Sequence, residues 1–253
     1  MPSNPDLSRL PISEFAEHFR SESIPLGHAF SYFVAGLQIA EDELKEYIEE
    51  PIAALPQAIR SALPPILILL VPYIERANGR GGAHREDIVA MERPQESRIV
   101  PAGRSQIKDT AVLAFGVKDC EMAEYHYNLY RSIAEVFAER IPDDAASGYA
   151  GLLREEFSGS VHGEVDERSW HLKQALMRRQ GSIRRDSKPF RGYARQSVVD
   201  TLTLYLHGIC CDIDVDTGPR QLPSRFLRKR LQMLQTLYPP PKGYAVFPEE
   251  LSE

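Results

Sequence analysis

The densest group of residues able to bind a metal is the stretch VHGEVDERSWH at 161–171. On a helix, Glu164, Glu167 and His171 are spaced at i, i+3 and i+7, so they share one face. Carboxylate and neutral imidazole are good ligands for iron, zinc and manganese, and the stretch predicts a metal site with three candidate ligands: His162, Glu167 and His171. The same pattern is also typical of a solvent-exposed helix start, where acidic side chains interact favourably with the helix dipole.

A basic segment at 178–195 is the second feature with binding potential. It carries seven basic residues and a single acidic one, Asp186. On a chain with a formal net charge of −6, such a segment can attract a nucleic-acid backbone or an anionic substrate. If the partner is a nucleic acid, we expect the contacts to come from Arg184, Arg185, Lys188 and Arg191.

The glycine-rich stretch YIERANGRGGAH at 73–84 suggests a third chemistry. Helical ribonucleases of the HEPN type use an arginine and a histidine that lie a few residues apart. This stretch loosely resembles that pattern through Arg80 and His84. A flexible hinge is the alternative explanation, because three of its residues are glycines.

The hydrophobic pattern predicts a mainly α protein, folded as a single helical domain over 1–253. A long Gly- and Pro-rich loop around 78–104 is the candidate subdivision, and we expect short strands within it at 88–91 and 98–100. Prolines divide 51–77 into short helical pieces. Apolar residues at helical spacing predict the longer helices, at 26–40, 105–140, 145–157, 164–179, 193–209 and 223–237.

Composition narrows the class of protein further. The 253 residues are 43% hydrophobic and 26% charged, which is typical of a globular chain. Three cysteines, two of them adjacent, imply no disulfide framework and favour the cytoplasm. The longest apolar run, Leu63 to Ile74, contains three prolines, so we expect no membrane span and no membrane partner. The sequence contains no Gly-x-Ser-x-Gly elbow, Walker loop or dinucleotide fingerprint, which argues against the chemistries that use them.

Four stretches, in chain order, resemble the indoleamine 2,3-dioxygenase family of all-α haem proteins. They are LPPIL at 63–67, VHGEVDERSWH at 161–171, FRGYARQS at 190–197 and RFLRKRLQMLQTLYPPP at 225–241. The resemblance implies a helical oxygenase that contains haem or non-haem iron and acts on a small, aromatic substrate. In such an enzyme the metal supplies the oxygen chemistry, and the protein supplies orientation and a dry pocket.

The resemblance also implies roles for individual residues. Trp170 stands where the family has an aromatic side chain that lines the distal pocket. The family's distal arginine falls on Ala175, and Arg178 lies one turn further along the same face, where it is a candidate anchor for a substrate carboxylate. The loop that closes over the substrate in the family corresponds here to Gly192, Tyr193 and Ala194.

The metal ligand is where the sequence departs from the family. The family's haem-ligating histidine lies on a helix beyond the Pro-Pro element, and this sequence has no counterpart for it. The resemblance therefore leaves ligation to His162 or His171. Two other function classes stay open: a nucleic-acid-binding helical module or ribonuclease, and a non-catalytic helical scaffold.

Overall fold

The computed structural model describes residues 8–27, 29–77, 86–178, 186–211 and 220–247. Of these residues, 52% are helical and 19% lie in strands, and the chain divides into two compact units. Unit 1 comprises residues 1–53 and 63–132, and unit 2 comprises residues 54–62 and 133–253. The prediction of a mainly α, all-helical protein is therefore wrong, because unit 1 is built on two β-sheets.

The larger sheet of unit 1 contains five strands. They are β2 (Ile24–Leu26), β3 (Phe30–Val34), β4 (Ile66–Val71), β8 (Ala102–Ile107) and β9 (Thr110–Gly116). Their order is β2-β3-β4-β9-β8, with β3, β4 and β9 parallel and the two edge strands antiparallel. Every residue of β4 is buried, which is typical of a parallel strand that is covered on both faces.

The smaller sheet of unit 1 is antiparallel. It contains β1 (Arg9–Pro11), β5 (Tyr73–Glu75), β6 (Ile88–Ala90) and β7 (Ile99–Val100) in the order β1-β6-β5-β7. The predicted short strands at 88–91 and 98–100 are thereby confirmed. The buried Glu75 carboxylate forms ion pairs with Arg9 and Arg98, which ties β1 and the start of β7 to β5.

Three short helices and one long helix accompany these sheets. They are α1 (Ile12–Phe19), α2 (Glu41–Leu44), α3 (Glu50–Ala53) and α5 (Met122–Phe137), and the boundary between the units falls within α5. A π-helical turn, Lys45–Glu49, joins α2 to α3. Helix α1 buries Ile12 and Phe15 in the same core as alternate residues of β4, which explains its position against the larger sheet.

Unit 2 is helical in its described part. Its helices are α4 (Gln57–Ala62), α6 (Asp143–Ser158), α7 (Glu167–Met177), α8 (Lys188–Cys210) and α9 (Ser224–Leu237). The helices predicted at 145–157, 164–179, 193–209 and 223–237 correspond to α6, α7, α8 and α9, and these predictions are confirmed. Across the described residues, every helix is too short or too polar to cross a membrane.

Two predicted helices are wrong where the strands of the larger sheet lie. The helix predicted at 26–40 is replaced by β2 and β3, and the helix predicted at 105–140 contains β9 before α5 begins. Strands covered on both faces show a continuous apolar run without alternation, and such a run fits a helical pattern equally well.

Candidate functional site

A cluster of four charged side chains is buried inside unit 2, each with at most 2% of its surface exposed: Glu156, Glu164, Lys173 and Arg230. Helices α6, α7 and α9 contribute Glu156, Lys173 and Arg230, and Glu164 lies in the loop before α7. The Arg230 guanidinium donates to both carboxylates, with Nε 2.9 Å from Glu156 Oε1 and NH1 2.8 Å from Glu164 Oε2. The two positive and two negative charges cancel, as burial of charge in a protein interior requires.

Further hydrogen bonds complete this buried cluster. The ammonium group of Lys173 donates to the carbonyl oxygen of Gly163 at 2.8 Å and to Glu164 Oε1 at 3.0 Å. From α8, Tyr193 donates to Glu164, and Ser197 accepts from Arg230. Burial alone raises the pKa of Glu164, but the hydrogen bonds and charge of Arg230, with the charge of Lys173, lower it to about 2. Glu164 therefore binds side chains from α7, α8 and α9, and Arg230 links it to Glu156 of α6.

The structure places the predicted metal ligands on the surface of unit 2. Helix α7 begins only at Glu167, and the Asp166 carboxylate caps it by accepting from the backbone N–H of Arg168 at 2.9 Å. His162, Glu167 and His171 are exposed, and His171 Nε2 lies 3.4 Å from Glu167 Oε1.

Among the described residues, no group of three or more His, Cys, Asp and Glu side chains is arranged to hold a metal ion. The prediction of a metal-binding site is therefore wrong there. The physical reason is that Glu164, which the pattern placed on one face with Glu167 and His171, is buried and bound to Arg230 and Lys173. The haem or non-haem iron cofactor stays a prediction that rests on the family resemblance.

The residues predicted to line a substrate pocket lie on α7 and α8. Trp170 is half-buried, and the guanidinium of Arg220 lies 4.8 Å from its ring centroid. Arg178 is exposed at the end of α7. The predicted substrate loop is helical, since three of its residues lie within α8: Gly192, Tyr193 and Ala194.

The basic residues of the alternative predictions are only partly described. Arg184 and Arg185 lie outside the described residues, as do Arg80 and His84 of the ribonuclease prediction. Lys188 and Arg191 lie in the first turn of α8, and both are exposed. One of this pair, Arg191, belongs to the cleft described next.

Helices α6 and α8 also border an open cleft of about 610 Å³, on faces other than those that contribute to the buried cluster. This volume is within the range of pockets that bind small organic molecules, which is about 300–1,000 Å³. Four of the described lining residues are alanines, so the two helices leave room between them. The apolar part of the lining consists of Ala138, Ile141, Ala146, Ala150, Phe190, Ala194 and Val198.

Three arginines from the two helices add positive charge to this apolar cleft. Arg154 belongs to α6, and its guanidinium lies 4.5 Å from the ring centroid of Phe190. Arg191 and Arg195 belong to α8, one helical turn apart. Their carboxylate partners are exposed: Arg191 NH1 lies 3.1 Å from Asp186 Oδ2, and Arg195 NH2 lies 3.3 Å from Glu139 Oε1. Ion pairs this exposed contribute only about 0.2–1 kcal/mol each.

No protein-family model matches this sequence, and searches of curated proteins and of solved structures return no significant match. The function is therefore inferred from the geometry of the cleft. Its described lining includes arginines, two aspartates and the hydroxyl of Ser147, and lacks histidine, cysteine and lysine. Such a set of side chains suits the binding of a ligand through charge and shape.

Sequence reasoning identified part of this cleft and missed the rest. The basic segment predicts Arg191 as a binding residue, and the family resemblance predicts Ala194. The sequence pattern does not indicate Arg154, because this residue lies alone among acidic residues on α6. Its place in the chain gives no local sign that Asp186 and Phe190 lie beside it.

Proposed function

We propose that unit 2 binds a small organic anion with an apolar body the size of an aromatic ring system, in the cleft between α6 and α8. The observation that carries the proposal is the placement of Arg154, Arg191 and Arg195 around a lining of apolar side chains. The cleft thus offers charge at its rim and apolar surface in its interior.

The size and chemistry of the cleft favour an amphipathic ligand. Burying a ring system against Ala150, Ala194 and Val198 removes apolar surface from water, at about 25 cal/mol per Å². A planar guanidinium also stacks on aromatic faces, as Arg154 already does on Phe190. The lining therefore favours a flat, apolar body over a sugar or a polar peptide.

The charge of the rim favours a negative group on that ligand. Arginine presents a planar fork of donors that matches carboxylate, sulfonate and phosphate oxygens. The present partners of these arginines are exposed carboxylates that are held weakly, so a ligand's anionic group replaces them at small cost.

Two fluorescent probes with one carbon skeleton test this function. 1-Anilinonaphthalene-8-sulfonate is anionic, and N-phenyl-1-naphthylamine is its neutral counterpart. We expect the folded protein to bind the anionic probe with one-to-one stoichiometry. Replacing all three rim arginines by glutamine should weaken that binding about tenfold or more, because charge-assisted hydrogen bonds are lost.

Two control variants distinguish binding of the probes in the cleft from binding elsewhere on the protein surface. Arg168→Gln removes an exposed arginine of α7 that lies outside the cleft, 3.9 Å from Glu135. This variant should bind both probes as tightly as the original protein does. Ala150→Trp fills the cleft and should weaken the binding of both probes. The proposal is wrong if the triple arginine variant, with an unchanged melting temperature, binds the anionic probe as tightly as the original protein.

The same arginines also test the nucleic-acid alternative. If the triple variant loses salt-dependent binding of a single-stranded RNA and keeps its binding of the anionic probe, this surface serves a nucleic acid instead. We retain the cytoplasm as the proposed compartment, on the grounds of the cysteine content of the sequence.

A further inference from the structure

The carboxylate of Asp186 lies between two of the arginines that the proposed ligand needs. Asp186 Oδ1 is 3.6 Å from Arg154 NH2 on α6, and Asp186 Oδ2 is 3.1 Å from Arg191 NH1 on α8. Arg191 NH1 also donates to the backbone carbonyl oxygen of Asp186 at 2.6 Å. One carboxylate thus contacts guanidinium groups from both helices that border the cleft.

This position is the one that a bound anionic group would occupy. A ligand carboxylate or sulfonate gains most by contacting two guanidinium groups at once, and Asp186 already contacts that pair. Asp143 provides a useful contrast, since it lines the same cleft and bears the same charge. Among the ion pairs of the described residues, those of Arg154 and Arg191 are formed with Asp186.

We propose that Asp186 is an internal competitor for the anionic group of the ligand. This inference rests on the proposed function of the cleft and adds a residue that limits its affinity. The Asp186 carboxylate must leave Arg154 and Arg191 before a ligand's anionic group contacts both. A ligand is therefore selected for an anionic group that binds guanidinium better than one exposed carboxylate does.

The test is the affinity of Asp186→Asn for 1-anilinonaphthalene-8-sulfonate. Asparagine keeps the shape of the side chain and removes its charge. Because two exposed ion pairs are released, we expect the dissociation constant to fall about threefold. Asp143→Asn removes an equal charge from the same cleft, and we expect less than half of that gain. Binding of neutral N-phenyl-1-naphthylamine should not change in either variant.

A double variant shows whether Asp186 acts through its guanidinium partners. In a protein that already carries Arg154→Gln and Arg191→Gln, the gain from Asp186→Asn should disappear. If the gain persists in full there, or if Asp143→Asn matches it, Asp186 acts by general repulsion and the inference is overturned.

The outcomes separate the inference from the proposed function. If the arginine variants weaken binding and Asp186→Asn has no effect, the cleft binds anions without this competitor. If neither the arginines nor Asp186 affects binding, both the function and the inference fail. If the arginine variants weaken binding of the anionic probe and Asp186→Asn strengthens it about threefold, both the function and the inference are supported.

Discussion

Arg230 and Glu164 are joined by two hydrogen bonds, NH1 to Oε2 at 2.8 Å and NH2 to Oε1 at 2.9 Å, with no side-chain surface exposed on either residue. Such paired contacts between guanidinium and carboxylate fix orientation as well as distance. Because Arg230 also binds Glu156 of α6 and Ser197 of α8, the pair sets the relative position of the helices that border the cleft. A buried ionic group thus positions a surface site that it does not itself line.

Removal of Arg230 should destabilise unit 2 strongly. Arg230→Ala leaves the carboxylates of Glu156 and Glu164 buried with too little positive charge, and we expect a loss of about 3–5 kcal/mol in the free energy of unfolding. Arg230→Lys keeps the charge without the planar fork, so its loss should be intermediate. Urea unfolding followed by the fluorescence of Trp170, the single tryptophan, measures both.

An exposed arginine on the same helix provides the control for this prediction. Arg225→Ala should change the free energy of unfolding by no more than about 0.5 kcal/mol. Equal effects of Arg225→Ala and Arg230→Ala would contradict the role assigned to the buried cluster.

The stability of unit 2 should depend on the ionisation of Glu164. Its pKa is lowered from 4.5 to about 2 in the folded protein, so the unfolded chain takes up this proton first as the pH falls. The resulting stabilisation, on the order of 3 kcal/mol, is present above about pH 4.5 and is lost as the pH falls towards 2.

Glu164→Gln isolates this contribution from that of the other carboxyl groups. Between pH 7 and pH 3, the difference in free energy of unfolding between the original protein and the variant should narrow by roughly 2 kcal/mol. Glu167→Gln, which removes a carboxylate at an exposed position of α7, is the surface control for this comparison. Parallel pH curves for the original protein and Glu164→Gln would show that the carboxyl group titrates normally.

Helix α9 of unit 2 could be predicted from the sequence because its buried Leu227, Leu231 and Leu234 recur at helical spacing. The strands of the larger sheet in unit 1 could not be predicted in this way, and β4 shows why. Leu67 and Leu69 face the core that contains α1, while Ile68 between them is buried as well. A strand buried on both faces has no alternation of apolar and polar residues, and its short apolar run carries no period that separates it from a helix.

One residue of the buried cluster, Arg230, could be predicted from the sequence to form a buried ion pair. Its partners could not be predicted. On α9, Arg230 occupies the same face as Leu227, Leu231 and Leu234, and an arginine in an apolar stripe indicates a buried ion pair. Its partner Glu164 lies 66 residues away. Spacing along one helix cannot reveal a pairing over that distance, and it places Glu164 only on one face with Glu167 and His171.

Gly163 should be intolerant of any side chain. A Cβ atom at this position would lie 1.9 Å from the carbonyl oxygen of Gln221, because the loop before α7 pairs with residues 220–222 through two backbone hydrogen bonds. We expect Gly163→Ala to cost about 2 kcal/mol or more in the free energy of unfolding, since the backbone must move apart.

The matched substitution on α6, Gly151→Ala, should change the free energy of unfolding in the opposite direction. A Cβ atom on Gly151 meets nothing within 4 Å, and this residue lies inside the helix. Gly151→Ala should therefore raise the free energy of unfolding by up to about 1 kcal/mol, through helix propensity. If Gly163→Ala and Gly151→Ala shift the melting temperature in the same direction, the close approach of Gly163 to Gln221 is not present in solution.

In unit 1, Cys120 should react slowly with thiol reagents at neutral pH. Burial and the nearby carboxylates of Glu124 and Glu121 raise the pKa of its thiol to about 11, so little thiolate is present. Alkylation by iodoacetamide, followed at this residue by peptide mass spectrometry, should accelerate about tenfold per pH unit between pH 7 and pH 10. Glu124→Gln should accelerate it severalfold at pH 8, whereas Glu139→Gln, on unit 2, should not. A rate that levels off near pH 8.5 would mean that the thiol ionises as it does in water and that neither burial nor Glu124 acts on it.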